Sequence, residues 1–208
     1  MTLDYNVIAT GSKGNAVRIE TVMIDCGIPF NKMRDDLYKC EVLLITHTHT
    51  DHVNPKTLNK IREEFPRIQI YGNYDTAYRF GVNHVFGHER INITKNIYVT
   101  PIEGVHDVPV TMFDIEFRDK GLEVFYATDT SKVTNPRGSK YDYVFLESNF
   151  DERKLKEMSR QYKRKGYDPY LNSMSRHLST QACKAFYFIN RKSEDSPLIE
   201  LHQSSRFY

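Results

Sequence analysis

The run Thr46-His47-Thr48-His49-Thr50-Asp51-His52 constrains this chain more than any other stretch. It puts three imidazoles and a carboxylate directly behind the apolar segment Val42-Leu43-Leu44-Ile45, which reads as a buried strand. Past a strand end, His47 and His49, two apart, can project to one side. Asp51 and His52, where the chain turns toward a helix, can point at a second position nearby. Packed together against a hydrophobic strand, these imidazoles would each need a partner in a small volume, and cations meet that need. A lone His-x-His is ordinary loop decoration. The order H-x-H-x-D-H offers ligands to two ions.

This order resembles the metallo-β-lactamase superfamily. The resemblance implies an α/β fold of the four-layer αββα sandwich type. At 208 residues the chain suits one domain over 1–208, long enough to bury a proper core. Charged residues at 27% and hydrophobic ones at 39% are ordinary for a globular protein, which argues against disorder. No run approaches the roughly 20 apolar residues of a membrane span. Met1-Thr2-Leu3-Asp4-Tyr5-Asn6 lacks a basic-then-apolar leader, so a cytoplasmic location without membrane contact is expected. Cys26, Cys40 and Cys183 show no CxxC spacing and read as reduced core thiols. A formal charge of +2 does not announce nucleic-acid binding, which would need a local patch.

The opening reads as strand (Val7–Thr10), glycine-rich turn (Gly11-Ser12-Lys13-Gly14-Asn15), strand (Ala16–Glu20) and a further strand over Val22–Gly27. The glycine-rich loop lies between strands, with no helix N-terminus behind it, so a turn is favoured over a phosphate cradle. Asn54-Pro55 predicts a capped helix over Lys56–Phe65 with Leu58, Ile61 and Phe65 on one face. A strand over Ile68–Gly72 and a short helix over Asp75–Phe80 follow. His84 and His88 read as surface or core histidines.

Ile97–Ile102 reads as a strand leading to His106, with Asp107 placed as a turn cap in preference to an imidazole partner. The hairpin over Thr111–Phe117 and Leu122–Tyr126 delivers Ala127-Thr128-Asp129-Thr130. Val144–Asp151 is a strand and exit loop, and Glu152–Lys165 a helix whose basic tail, Arg160 to Lys165, reads as a solvated face or else a phosphate-backbone track. A helix over Gln181–Asn190 follows Arg176-His177-Leu178-Ser179-Thr180.

The order G-S-x-G-N, strand, I-D-x-G ahead of the histidine cluster resembles the start of metallo-β-lactamase-fold phosphodiesterases, and the combination of E-S-N-x-D, H-L-S before a helix and a closing L-H-x-S-x-R is similar to the YycJ/WalJ-like nucleases. More distantly it resembles the tRNA 3′-processing endonucleases. The resemblance implies that His47, His49 and His106 hold one metal and that Asp51, His52 and His202 hold the other, with Asp129 bridging. It implies two divalent ions, zinc (Zn2+) in kind with Mn2+ an alternative, holding a hydroxide between them. Asp51 belongs to that catalytic centre, His177 donates a proton to the leaving oxygen, and Ser204 and Arg206 contact substrate phosphate. Only a hairpin lies between His106 and Asp129, with no room for a tRNA-gripping arm, and no β-CASP cap interrupts Asp129 to His177.

The expected activity is phosphodiester cleavage on nucleic acid, an exonuclease-like action on DNA. A cyclic-nucleotide phosphodiesterase of the kind phages use against immune signalling is the rival within the fold. A non-catalytic metal-binding module is the rival outside it. Whether the protein is a homodimer is left open by the sequence.

Overall fold

The computed structural model describes residues 2–162 and 174–204. The chain divides into two compact units, residues 1–93 and 94–208.

In the first unit a six-stranded sheet runs in sequence order: β1 (Tyr5–Ala9), β2 (Ala16–Ile19), β3 (Val22–Ile24), β4 (Val42–Leu44), β5 (Gln69–Gly72) and β6 (His84–Val85). β1, β2 and β3 pair antiparallel, and β3 to β6 pair parallel. Parallel neighbours need crossovers. Here they are helices α1 (Phe30–Leu37), α2 (Pro55–Glu64) and α3 (Tyr74–Phe80). α1 is a helix that the sequence reading did not anticipate. Its buried residues Phe30, Met33 and Leu37 make one short apolar stripe behind Pro29. α2 begins as its cap demands, with the Asn54 side chain accepting from the backbone N–H groups of Lys56 and Thr57. Leu58 and Ile61 of α2 join Met33, Leu37, Leu43, Ile45 and Val53 in one core.

The second unit repeats the same plan with most of a second six-stranded sheet. That sheet has the order β7 (Ile91–Thr94), β8 (Ile97–Glu103), β9 (Thr111–Phe117), β10 (Leu122–Ala127), β11 (Tyr143–Glu147) and β12 (Leu198–Leu201), of which β8 to β12 lie in this unit. β8, β9 and β10 pair antiparallel; β10, β11 and β12 pair parallel. Helices α4 (Glu152–Tyr162) and α5 (Thr180–Asn190) lie between β11 and β12 in sequence. α5 is capped by Ser179, whose hydroxyl accepts from Ala182 N–H, and it buries Cys183, Phe186 and Tyr187. These pack with Phe125, Tyr141, Val144 and Leu146 into the second core. The last residues of the basic stretch, 163–165, lie outside the described residues.

No helix among the described residues is long and apolar enough to cross a membrane. His84 and His88 are both exposed, and His84 stacks on Tyr71 with ring centroids 4.6 Å apart.

Candidate metal centre

Both units present their titratable side chains where parallel strands end, the place at which an open α/β sheet leaves a crevice. Among the described residues, three of the four non-glycine residues with left-handed backbone stand at these ends: Asp25 (φ 62), Asp129 (φ 51) and His202 (φ 50). Such a conformation costs of order 1 kcal/mol or more for a residue with a Cβ. Its concentration here marks positions where side-chain direction matters more than backbone ease.

In the first unit, β4 ends and the chain immediately delivers His47, His49, Asp51 and His52 to one loop. The ring centroids of His47 and His49 are 4.7 Å apart, and those of His47 and His52 are 4.0 Å apart. The two pairs anticipated as pointing to separate positions therefore share the His47 ring as a common neighbour. His47 and His52 are fully buried. Asp25, one residue past β3, organises them. Its carboxylate accepts from Thr46 N–H at 2.8 Å and from the Thr46 hydroxyl, and lies 2.7 Å from His52 Nδ1. Burial raises the Asp25 pKa, and His52 and Thr46 oppose that rise.

Asn15 fixes the other side of His52. Its Oδ1 accepts from Gly11 N–H, so its Nδ2 is the atom 2.9 Å from His52 Nε2. An N–H facing Nε2 and a carboxylate facing Nδ1 hold the ring as the Nδ1–H tautomer, with the Nε2 lone pair accepting from Asn15, the position a cation would take in its stead. That is the form in which an imidazole binds a cation. Gly27 completes the support, since a Cβ placed there would sit 1.7 Å from the carbonyl oxygen of Asp51. The Asn15 backbone N–H also donates to that carbonyl, at 2.7 Å.

In the second unit the parallel register sets Ala127 beside Leu146 and Glu147 beside Leu201, so Asp129, Glu147 and His202 emerge side by side. His177, just before α5, joins them. Donor atoms of Asp129, Glu147, His177 and His202 all lie within 4.8 Å of one another, a spacing that fits a single cation. Glu147 is fully buried. Its Oε1 lies 2.7 Å from His177 Nδ1 and 3.1 Å from His202 Nδ1, and Asp129 also pairs with His202 Nδ1. Burial disfavours the charge on His202, yet its hydrogen bonds to Asp129 and Glu147 push its pKa up to about 10. Asn149 braces the same turn: its Nδ2 donates to His202 C=O, while its own carbonyl accepts from Ser204 N–H.

His106 follows β8, and its Nδ1 donates to the carbonyl of Arg176 at 2.9 Å. Asp107, for which a turn cap was favoured over an imidazole partner, does reach the imidazole. Its Oδ1 lies 3.0 Å from His106 Nε2 and its Oδ2 pairs with Arg176 Nη2. This carboxylate has a ring and a guanidinium as partners.

The donor set fits divalent metal in chemistry as well as spacing. His52, His106, His177 and His202 each engage Nδ1 with a carboxylate or a backbone carbonyl, as metal-ligating histidines do. Of the residues anticipated from sequence, His47, His49, Asp51 and His52 gather in the first unit, and Asp129, His177 and His202 in the second. Ser204 stands beside Asn149, and Arg206 lies outside the described residues. Asp25, Asn15 and Glu147 were given no role by the sequence reading. Their signal was present in I-D-x-G, G-S-x-G-N and E-S-N-x-D, but a carboxylate at a strand end has no stated target until its neighbours in space are known.

A family model, the Beta-lactamase superfamily domain, matches residues 20–183. The chain belongs to this superfamily. Its α/β architecture is the metallo-β-lactamase fold. The metallo-β-lactamase fold protein YhfI from Bacillus subtilis is similar, with a TM-score of 0.71 at 16% identity over 97% of this chain and 86% of that one. Human tRNase Z, short form, is similar with a TM-score of 0.69 at 18% identity over 97% of this chain and 93% of that one. At such identities the likeness is one of fold. No curated protein matches the sequence. For a metallo-β-lactamase-fold chain, the clustered imidazoles and carboxylates described above are the candidate for divalent metal binding, and they set the chemistry the fold can host.

Proposed function

We propose that this protein is a binuclear metal-dependent phosphodiesterase whose substrate is a nucleic acid, with exonuclease-like action on DNA. His47, His49 and His106 would hold one ion, Asp51, His52 and His202 the other, and Asp129 would bridge. Such ions supply charge to stabilise a phosphoryl group and lower the pKa of bound water toward about 7.

The chain's own residues do the rest. Asp25 and Asn15 hold the His52 tautomer, and the Asp51–His52 segment rests on Gly27. His177, half-buried, is held through Nδ1 by Glu147, so its Nε2 faces away from that carboxylate and is the atom from which a proton passes to the leaving oxygen. The observation that carries the reading is this sharing of one buried carboxylate by His177 and His202. A purely structural metal site needs His202 oriented but has no use for a second imidazole that is 22% exposed on the same carboxylate. The fold likeness to a tRNase Z supports the phosphodiester class.

The test is metal analysis joined to a substrate panel of single- and double-stranded DNA, RNA, cyclic nucleotides and a chromogenic phosphodiester, with Asp51→Ala as control. Turnover of DNA that weakens steeply with salt is expected, as phosphate contacts release counterions. Salt-insensitive turnover of cyclic nucleotides alone would move the substrate to a small nucleotide. Metal binding without turnover of any phosphodiester would refute the enzymatic reading.

A further inference from the structure

We propose that Arg176 is the residue that grips the substrate phosphate, and that the Asp107 carboxylate occupies its guanidinium until phosphate displaces it. The proposal rests on the phosphodiesterase reading and adds a specific contact to it.

Three contacts among Arg176, His106 and Asp107 form a closed ring. The carbonyl of Arg176 accepts from His106 Nδ1 at 2.9 Å. His106 Nε2 lies 3.0 Å from Asp107 Oδ1, and Asp107 Oδ2 pairs with Arg176 Nη2. The residue next in the chain is His177, whose ring centroid lies 5.6 Å from that of His106 in an edge-on arrangement. Arg176 is therefore next in the chain to the imidazole proposed as proton donor and tied to the one proposed as metal ligand, a position for holding a phosphodiester near both.

The pair is poorly explained as a stabilising device. The side chains of Arg176 and Asp107 are 36% and 38% exposed, and ion pairs that exposed contribute little to folding. The guanidinium is also incompletely used. Its Nε is buried and finds no hydrogen-bond partner among the described residues. A guanidinium fork accepts a carboxylate or a phosphate through the same parallel N–H contacts. Asp107 Oδ2 thus takes the place of one phosphate oxygen on Nη2, and an arriving phosphate, with more charge and further oxygens, can fill the guanidinium fork that one carboxylate oxygen leaves part-used.

The test is calorimetric titration of the zinc-loaded full chain with inorganic phosphate, alongside kinetics on a chromogenic phosphodiester. Arg176→Ala should weaken phosphate binding about tenfold or more, the scale of a lost charged hydrogen bond, with metal content unchanged. Arg176→Lys should recover part of that loss, and Asp107→Asn should tighten phosphate binding because the competing charge is gone. Absence of phosphate binding by the unaltered protein, unchanged binding in Arg176→Ala, or weaker binding in Asp107→Asn would each overturn the assignment. If phosphate binds through Arg176 but no phosphodiester is turned over, the proposed activity falls and this contact stands. If turnover is found with the same KM in Arg176→Ala, the activity stands and this contact falls.

Discussion

Glu147 Oε1 lies 2.7 Å from His177 Nδ1, and the same oxygen lies 3.1 Å from His202 Nδ1. One buried carboxylate therefore fixes the ring orientation of two imidazoles that arrive from different parts of the chain. Replacing it with the isosteric amide, Glu147→Gln, removes the charge but keeps the volume. Turnover should fall by about 10- to 100-fold, with metal content also reduced. Steady-state kinetics and metal analysis on the same preparation check this, and full activity in the variant would remove Glu147 from the centre.

Asp25 acts on His52 in a similar way, but its isostere should be more damaging than its size suggests. In Asp25→Asn, an amide N–H placed toward Nδ1 would favour the opposite tautomer and protonate Nε2, the nitrogen needed for a cation. Metal affinity should drop about 10- to 100-fold. Competition titration against a chromogenic chelator measures it.

Gly27 tolerates no side chain. A Cβ there would lie 1.7 Å from Asp51 O and 2.7 Å from His52 N. Gly27→Ala should force the Asp51–His52 peptide to shift, lowering metal content and thermal stability together. A variant with unaltered Tm and metal content would show that the loop yields at no cost.

His202 links stability to pH when no metal is present. Its pKa in the folded chain, about 10, lies above the ordinary value of 6.5. The contribution of its charged form to stability is therefore complete below pH 6.5 and lost as pH rises toward 10. Thermal denaturation of chelator-treated protein should show a lower Tm at pH 10 than at pH 6, and His202→Gln should flatten that dependence.

The three cysteines should be inert in the folded protein. Burial pushes the Cys40 and Cys183 thiols up to about 12 and raises Cys26 further. A thiol reagent at pH 8 should label them only after unfolding. Rapid labelling of Cys183 in native protein would contradict its place on the buried face of α5.

Much of this was legible in the residues. Hydrophobic runs and caps located β4, α2, the β9–β10 hairpin and α5 to within a residue or two, because period and capping are local properties. α1 was missed, since an eight-residue helix with three apolar positions scarcely differs from a loop in sequence. The Asp107–Arg176 pair was missed for a different reason. The two residues lie 69 positions apart in the chain, and no local pattern announces a pairing at that range.

What the sequence determined by itself was the inventory of candidate ligands: the H-x-H-x-D-H loop behind a buried strand, whose chemistry suits divalent cations. Only the tertiary structure decided which carboxylates serve that inventory. Parallel register across β10, β11 and β12 brings Asp129, Glu147 and His202 to one level, and β3 beside β4 brings Asp25 to His52. Orientation of an imidazole depends on which nitrogen finds a partner, and those partners come from other strands.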